Sequence, residues 1–296
     1  MPTVKANGID LYYEERGASD APVILLIMGL GTQMIAWPDT LIDGLVARGF
    51  RVVNFDNRDV GKSTHLHGAP AGSPVWAMIA SKLGLKVRTP YSLTDMANDA
   101  VVLMDALGIA KAHVVGASMG GMIAQLVAAN HPDRVLTLTS IMSSSGEPGL
   151  PGPDSEVRKR LMAKRPANLT RETAIELATD MVTLISYPDP ARDPNAIRDM
   201  AARAYDRGNN PVGFRRQMLA IITDGSRADR LAKIKAPTLV IHGRADRLVP
   251  LAGSEAIARR VPGARLEIID EMAHDLPPSQ VARMTELIAG HATAAE

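Results

Sequence analysis

Six stretches of the chain are apolar on consecutive positions: residues 23–28, 51–56, 112–116, 135–142, 237–242 and 265–269. Runs that are apolar on both faces suit parallel strands buried between helices. Ahead of them, Val4 and residues 9–13 flank Asn7-Gly8, a pair that favours the φ > 0 angles of a tight hairpin turn. Helical periods alternate with the runs. Over 94–107, Met96, Ala100, Leu103 and Leu107 share one stripe and Gly108 supplies a stop. Residues 119–130 are apolar nearly all round, as a central helix covered on both sides requires. Further helices are expected over 251–260 and 279–288. This alternation predicts an α/β fold with a doubly wound, mostly parallel sheet.

One region breaks the alternation. From 143 to 229 no strand pattern stands out, and the segment opens with Gly146, Pro148, Gly149, Pro151, Gly152 and Pro153. Helices are expected over 156–164, 171–185, 195–207 and 212–223. The segment reads as a helical subdomain, and equally as a lid inserted between two core strands. The expected organisation is therefore a core of residues 1–142 and 230–296 with a helical cap over 143–229.

Composition narrows the chemistry. With 33 Lys+Arg against 32 Asp+Glu, the net charge of +1 argues against nucleic-acid or anionic-membrane partners. Cysteine is absent, which excludes disulfides, thiolate catalysis and Cys-based metal sites. Residues 1–5 lack the charged start of a secretory leader, and the longest apolar run, 21–31, is well short of the roughly 20 residues that span a bilayer. Cytoplasmic residence is expected.

Gly116-Ala117-Ser118-Met119-Gly120 matches G-x-S-x-G where a buried strand runs into an apolar helix. Such a turn strains the serine backbone and lifts its Oγ clear of the sheet. Gly116 and Gly120, lacking Cβ, let neighbouring backbone approach. The alternative is a plain glycine-rich strand–helix turn. A serine at its free pKa needs a base. Among seven histidines, His274 lies just beyond the last predicted strand, where α/β sheets build their sites. His65 and His67 fall in a polar loop, His113 within a strand, and His242 at a strand end, as a packed neighbour of the site would. Asp246 lies one strand–helix unit before His274 and gives the order nucleophile, acid, base. A turn or cap role is its alternative, and Asp270 and Asp275 lie nearer to His274 in sequence. Met34, Trp76 and Met142 are candidates for an adaptable apolar pocket, with core filling the alternative for each methionine. Trp76 sits in what reads as a loop over 64–90. Gly61-Lys62-Ser63 resembles the end of a phosphate-binding loop, but the position that requires its first glycine holds Asp56.

Together these pieces resemble the α/β-hydrolase superfamily, and within it bacterial serine esterases related to aclacinomycin methylesterase. The resemblance rests on Met28-Gly29-Leu30-Gly31, the segment Asp56-Asn57-Arg58-Asp59-Val60-Gly61-Lys62-Ser63, the turn around Ser118, Asp246, and His274-Asp275-Leu276-Pro277. It implies an eight-stranded core, a helical cap, no metal or other cofactor, and an oxyanion hole from the backbone N–H groups of Leu30 and Met119. Many members carry His-Gly where this chain has Met28-Gly29. The expected activity is hydrolysis of small apolar carboxylic esters through an acyl-enzyme, with Ser118, His274 and Asp246 as catalytic residues. A small-molecule ester or lactone is the expected partner, and oligomeric state is unreadable. A lactonase, carbon–carbon bond hydrolase or cofactor-free perhydrolase uses the same triad. A non-catalytic small-molecule-binding protein of this fold is the remaining alternative.

Overall fold

In the computed structural model, which describes residues 2–83, 85–163 and 169–295, the chain opens with the expected hairpin. Asn7 and Gly8 take φ values of 52° and 81° and turn β1 (Thr3–Ala6) back onto β2 (Ile9–Arg16). The strands β3 (Val23–Ile27), β4 (Arg51–Phe55), β5 (Ala112–Ala117), β6 (Val135–Ile141), β7 (Thr238–Gly243) and β8 (Arg265–Ile269) occupy the six apolar runs. They form an eight-stranded sheet in the order β1-β2-β4-β3-β5-β6-β7-β8. The pairs involving β2 are antiparallel and the rest are parallel.

Strand side chains alternate between two cores, one on each face. In β3, Leu25 and Ile27 pack into one core, and Ile24 and Leu26 into the other. The first face is covered by α3 (Leu93–Ala106) and α4 (Met119–Asn130), with α9 (Ala228–Leu231) and α10 (Ala252–Arg260) beside them; the second by α1 (Asp39–Val46) and α11 (Val281–Thr293). A capping box starts α3: Ser92 Oγ accepts from the Asp95 N–H, and Asp95 reaches back to the Ser92 N–H.

Two expectations need correction. The segment 64–90 is not all loop, because α2 (Pro74–Lys82) lies within it. Ser73 caps its start and Pro74 fills the first turn, so the helix signals were local and present. The last helix, α11, runs past Ile288 to Thr293, because Gly290 continues the helix.

Between β6 and β7 the chain leaves the sheet for α5 (Ser155–Met162), α6 (Arg171–Ile185), α7 (Ala196–Arg207) and α8 (Pro211–Asp224). The helix expected over 156–164 has its end, at Lys164, outside the described residues. The first three of these helices bury little of themselves: Val157 alone in α5, Ile175 alone in α6, and no residue of α7, whereas α8 buries Gly213, Arg216, Gln217, Leu219 and Ala220. Among the described residues no helix is long and apolar enough to cross a membrane.

Candidate active site

Ser118 stands where β5 gives way to α4, with φ 57° and ψ −119°. A non-glycine residue held there stores about 1–3 kcal/mol of backbone strain. Its surroundings hold it in place: the Ser118 N–H donates to Ile141 O at 2.9 Å, and Ser143 Oγ donates to Ser118 O at 2.8 Å. The flanking glycines have no alternative. A Cβ on Gly116 would collide with the Gly120 carbonyl, and one on Gly120 with the Ile27 carbonyl.

His274, in the loop after β8, brings Nε2 to 3.0 Å from Ser118 Oγ. Its Nδ1 lies 2.7 Å from Asp246 Oδ2, in the loop after β7. Asp246 is buried, and its Oδ1 accepts the N–H groups of Leu248 and Val249, each at 2.8 Å. The other two acids near His274 in sequence are engaged elsewhere. Asp270 is exposed and pairs with Arg244, and Asp275 pairs with Arg192. A carboxylate on Nδ1 fixes the tautomer that leaves Nε2 free to accept a proton.

A second imidazole backs the acid. His242, fully buried at the end of β7, places Nε2 2.9 Å from Val249 O and 3.4 Å from Asp246 Oδ2. A carbonyl only accepts, so Nε2 carries the proton and Nδ1 accepts from Ser254 Oγ at 2.6 Å. Burial pushes the His242 pKa below its ordinary value, and Asp246 only partly opposes this. His242 is therefore a neutral neighbour of the acid.

The loop after β3 passes beside the serine. A Cβ on Gly29 would sit 3.1 Å from Ser118 Cβ. Asn57 Nδ2 holds the Met28 carbonyl at 2.9 Å, and the Gly31 N–H donates to Gln217 Oε1 of α8 at 2.7 Å. Leu30 lies between these two anchors. Met119 is the first residue of α4, so its N–H has no carbonyl one turn back to bond and lies at the positive end of the helix dipole.

The segment 56–63 joins the core to the helices above. Asp56 Oδ1 accepts the Met34 N–H at 2.9 Å, and its Oδ2 takes the Arg207 guanidinium at 2.5 Å. Asp59 is gripped by Arg216 through two bonds of 2.6 and 2.7 Å, by the Tyr91 hydroxyl at 2.8 Å and by the Leu66 N–H at 2.8 Å. These donors hold the Asp59 carboxyl below the usual range against the opposing effect of burial. Arg207, Arg216 and Gln217 were not singled out in the sequence. Only the acidic half of the pattern, Asp56-Asn57-Arg58-Asp59, stood out.

The pocket candidates do not share one environment. Met34 and Met142 are buried, and Met142 packs in the core beneath the site with φ 41°. Trp76 is exposed on α2. His65 Nε2 meets Gly61 O at 3.1 Å, and among the described residues no group of three or more His, Asp or Glu is arranged to hold a metal.

A family model described as alpha/beta hydrolase fold matches residues 22–278. The chain is 29% identical, over all of its length and 99% of the relative's, to rhodomycin D methylesterase DnrP of Streptomyces peucetius. It is 32% identical to a putative carbamate hydrolase, RutD, of Caulobacter sp. (strain K31), over 87% of this chain and 86% of that one. Among solved structures, an enol-lactonase from Burkholderia xenovorans LB400 superposes with a TM-score of 0.75 at 23% identity, covering 99% of this chain and 100% of that one; at that identity the likeness shows the fold alone.

Proposed function

The chain belongs to the alpha/beta hydrolase fold family, and from that premise we propose that it is a serine esterase that cleaves small neutral carboxylic esters through an acyl-enzyme. The observation that carries this reading is the unbroken relay from Ser118 Oγ through His274 to a buried Asp246. In the proposed reaction Ser118 Oγ attacks the ester carbonyl while His274 Nε2 takes its proton. The N–H groups of Leu30 and Met119 stabilise the oxyanion, each worth about 10²–10³ in rate. Collapse of the tetrahedral intermediate expels the alkoxide, which His274 protonates. Water then enters, His274 removes its proton, and a second tetrahedral intermediate releases the acid and restores Ser118. Asp246 holds the imidazole in register and balances its charge. Residues 143–229, with helices α5–α8, act as the cap over this centre.

The full-length likeness to a methylesterase makes methyl esters the first substrates to test. Ser118→Ala should abolish turnover of a chromogenic short-chain ester while leaving the circular dichroism spectrum unchanged; undiminished turnover overturns the assignment. Asp246→Asn should be severely impaired and Asp270→Asn should not. The relative named as a carbamate hydrolase supports a second reading, because a carbamate carbonyl offers the serine the same point of attack. Ammonia release from carbamate outpacing alcohol release from methyl esters would favour that reading.

A further inference from the structure

The loop that carries His274 is held from two sides. Below, its first residues meet the loop that follows β7: the Ala245 N–H donates to Met272 O at 3.1 Å. Above, the chain leaving α6 runs along the loop's other edge. The His274 N–H donates to Ile185 O, the last residue of α6, at 2.9 Å. The next side chain, Asp275, turns away from the imidazole and into that segment. Its Oδ1 accepts the N–H groups of Tyr187 and Ala273, each at 3.2 Å, and its Oδ2 pairs with the Arg192 guanidinium. Arg192 Nη1 also donates to Tyr187 O at 3.1 Å. The side chains of Arg192 and Asp275 are only 15% and 10% exposed.

We propose that Arg192 and Asp275 form a positioning clamp by which the helical insertion sets the reach of His274 towards Ser118. The inference rests on the reading of His274 as the base. Three features support it. The His274 N–H bonds the insertion directly at Ile185 O, and the Ala273 N–H is joined to it through the Asp275 carboxylate, which also accepts from Tyr187 and pairs with Arg192. A carboxylate accepting two N–H groups and a guanidinium holds a sharper geometry than any one neutral bond. The distance it controls, 3.0 Å from Nε2 to Oγ, is of the kind where a shift of about 1 Å costs roughly a hundredfold. The clamp also gives the insertion a part in the chemistry beyond covering it, because a displaced insertion would carry Arg192 away from the loop.

The test uses the full chain and three variants: Arg192→Ala, Arg192→Lys and Asp275→Asn. Asp275→Asn keeps the volume and one acceptor oxygen, and so guards against an Ala variant that fails to fold. Two quantities are read at a temperature where every variant is folded: the kcat and KM for a short-chain ester, and the rate at which a fluorophosphonate labels Ser118. The clamp predicts that kcat and the labelling rate fall together, by about tenfold to a hundredfold in Arg192→Ala and less in Asp275→Asn, with KM nearly unchanged. Arg192→Lys should recover part of the loss. A lowered melting temperature with wild-type kcat and labelling rate would overturn the clamp and leave the pair a structural one. His274→Ala separates the two readings: if it labels as fast as wild type, the assignment of the base has failed, and the clamp falls with it.

Discussion

Ser118 lies between two regions that are held together by different forces. Behind it, α4 is buried along nearly its whole length, from Met119 to Ala128, between β3, β5 and β6 and the neighbouring α3. That seat is apolar and non-directional, and its strength follows the area taken from water. In front of it, α5, α6 and α7 of the insertion have little apolar area to spend. Beyond the buried Leu219 and Ala220 of α8, the insertion's contacts with the core are led by guanidiniums: Arg207 on Asp56, Arg216 on Asp59 and Arg192 on Asp275. Such pairs add little net stability, because desolvation offsets much of their attraction, yet breaking one leaves a charge stranded. They differ from the apolar seat in being directional. A greasy interface tolerates sliding, whereas a bidentate guanidinium on a carboxylate fixes angle and distance. The sheet side gives the serine a rigid platform, and the insertion is indexed to the loops on either side of it.

The sharpest way to break this comparison is to strand a charge. Among the described residues, Arg216→Ala leaves Asp59, whose side chain has no exposure, with Tyr91, Leu66 and Asn210 as its remaining hydrogen-bond donors. The expected loss is about 3–5 kcal/mol, read from the urea midpoint. It should also lower kcat/KM in the molecules that remain folded, because α8 anchors Gly31 through Gln217, next to Arg216. On the apolar side, Leu126→Ala removes a fully buried side chain of α4 and should cost about 2–5 kcal/mol. There, activity per folded molecule should barely change. If Leu126→Ala lowered specific activity while Arg216→Ala spared it, the division of labour would be the reverse of the one argued here.

The same division explains what the sequence disclosed. Residues 119–130 are apolar all round, and that pattern alone placed α4 with the bounds it has. The strands were equally plain, because burial on both faces leaves runs such as Val23-Ile24-Leu25-Leu26-Ile27. Ser118, Asp246 and His274 stood out because each follows a strand, and the structure brings their side chains within hydrogen-bond distance. The ion pairs were invisible. Arg207 is 151 residues from Asp56, and Arg216 is 157 from Asp59. Nothing in an exposed-looking arginine of an amphipathic helix says which acid it will meet. Asp275 shows the limit most directly: beside His274 in sequence, it faces the insertion instead. The α2 helix was overlooked for another reason, since its apolar positions Val75, Trp76, Met78 and Ile79 are exposed and so follow no burial stripe.

A finer test of the sheet side is the pH dependence of its stability. His242 is kept below its ordinary pKa by burial, so the unfolded chain binds its proton more readily than the folded one. Stability therefore falls as pH drops below about 6.5, until the lowered folded value is reached, at no more than about 1.4 kcal/mol per pH unit from this one group. Urea unfolding at pH 7.5, 6.5 and 5.5 should show that slope, and His242→Gln should remove its share of it. The half-buried His291 contributes in the same direction and should persist in that variant. Asp59 has the same sign at lower pH: its held-down carboxyl contributes stability that is present above about pH 4 and lost below it.

The smallest effect is expected where the insertion's charges do not reach the core. Arg171 of α6 grips Asp206 of α7 with two bonds of 2.6 and 2.7 Å, a geometry as good as that of Arg216 on Asp59. Both side chains are about half exposed, at 48% and 56%. Water solvates each charge whether or not the pair forms, and salt screens the attraction that remains. Asp206→Asn should therefore leave the urea midpoint within experimental scatter at 0.15 M salt, with kcat/KM unchanged. Since the two pairs share their chemistry and nearly their geometry, the gap between Asp206→Asn and Arg216→Ala isolates burial as the variable. A large loss in Asp206→Asn would mean that the insertion depends on its helix–helix charges throughout, and that the pairs facing the core hold no special position.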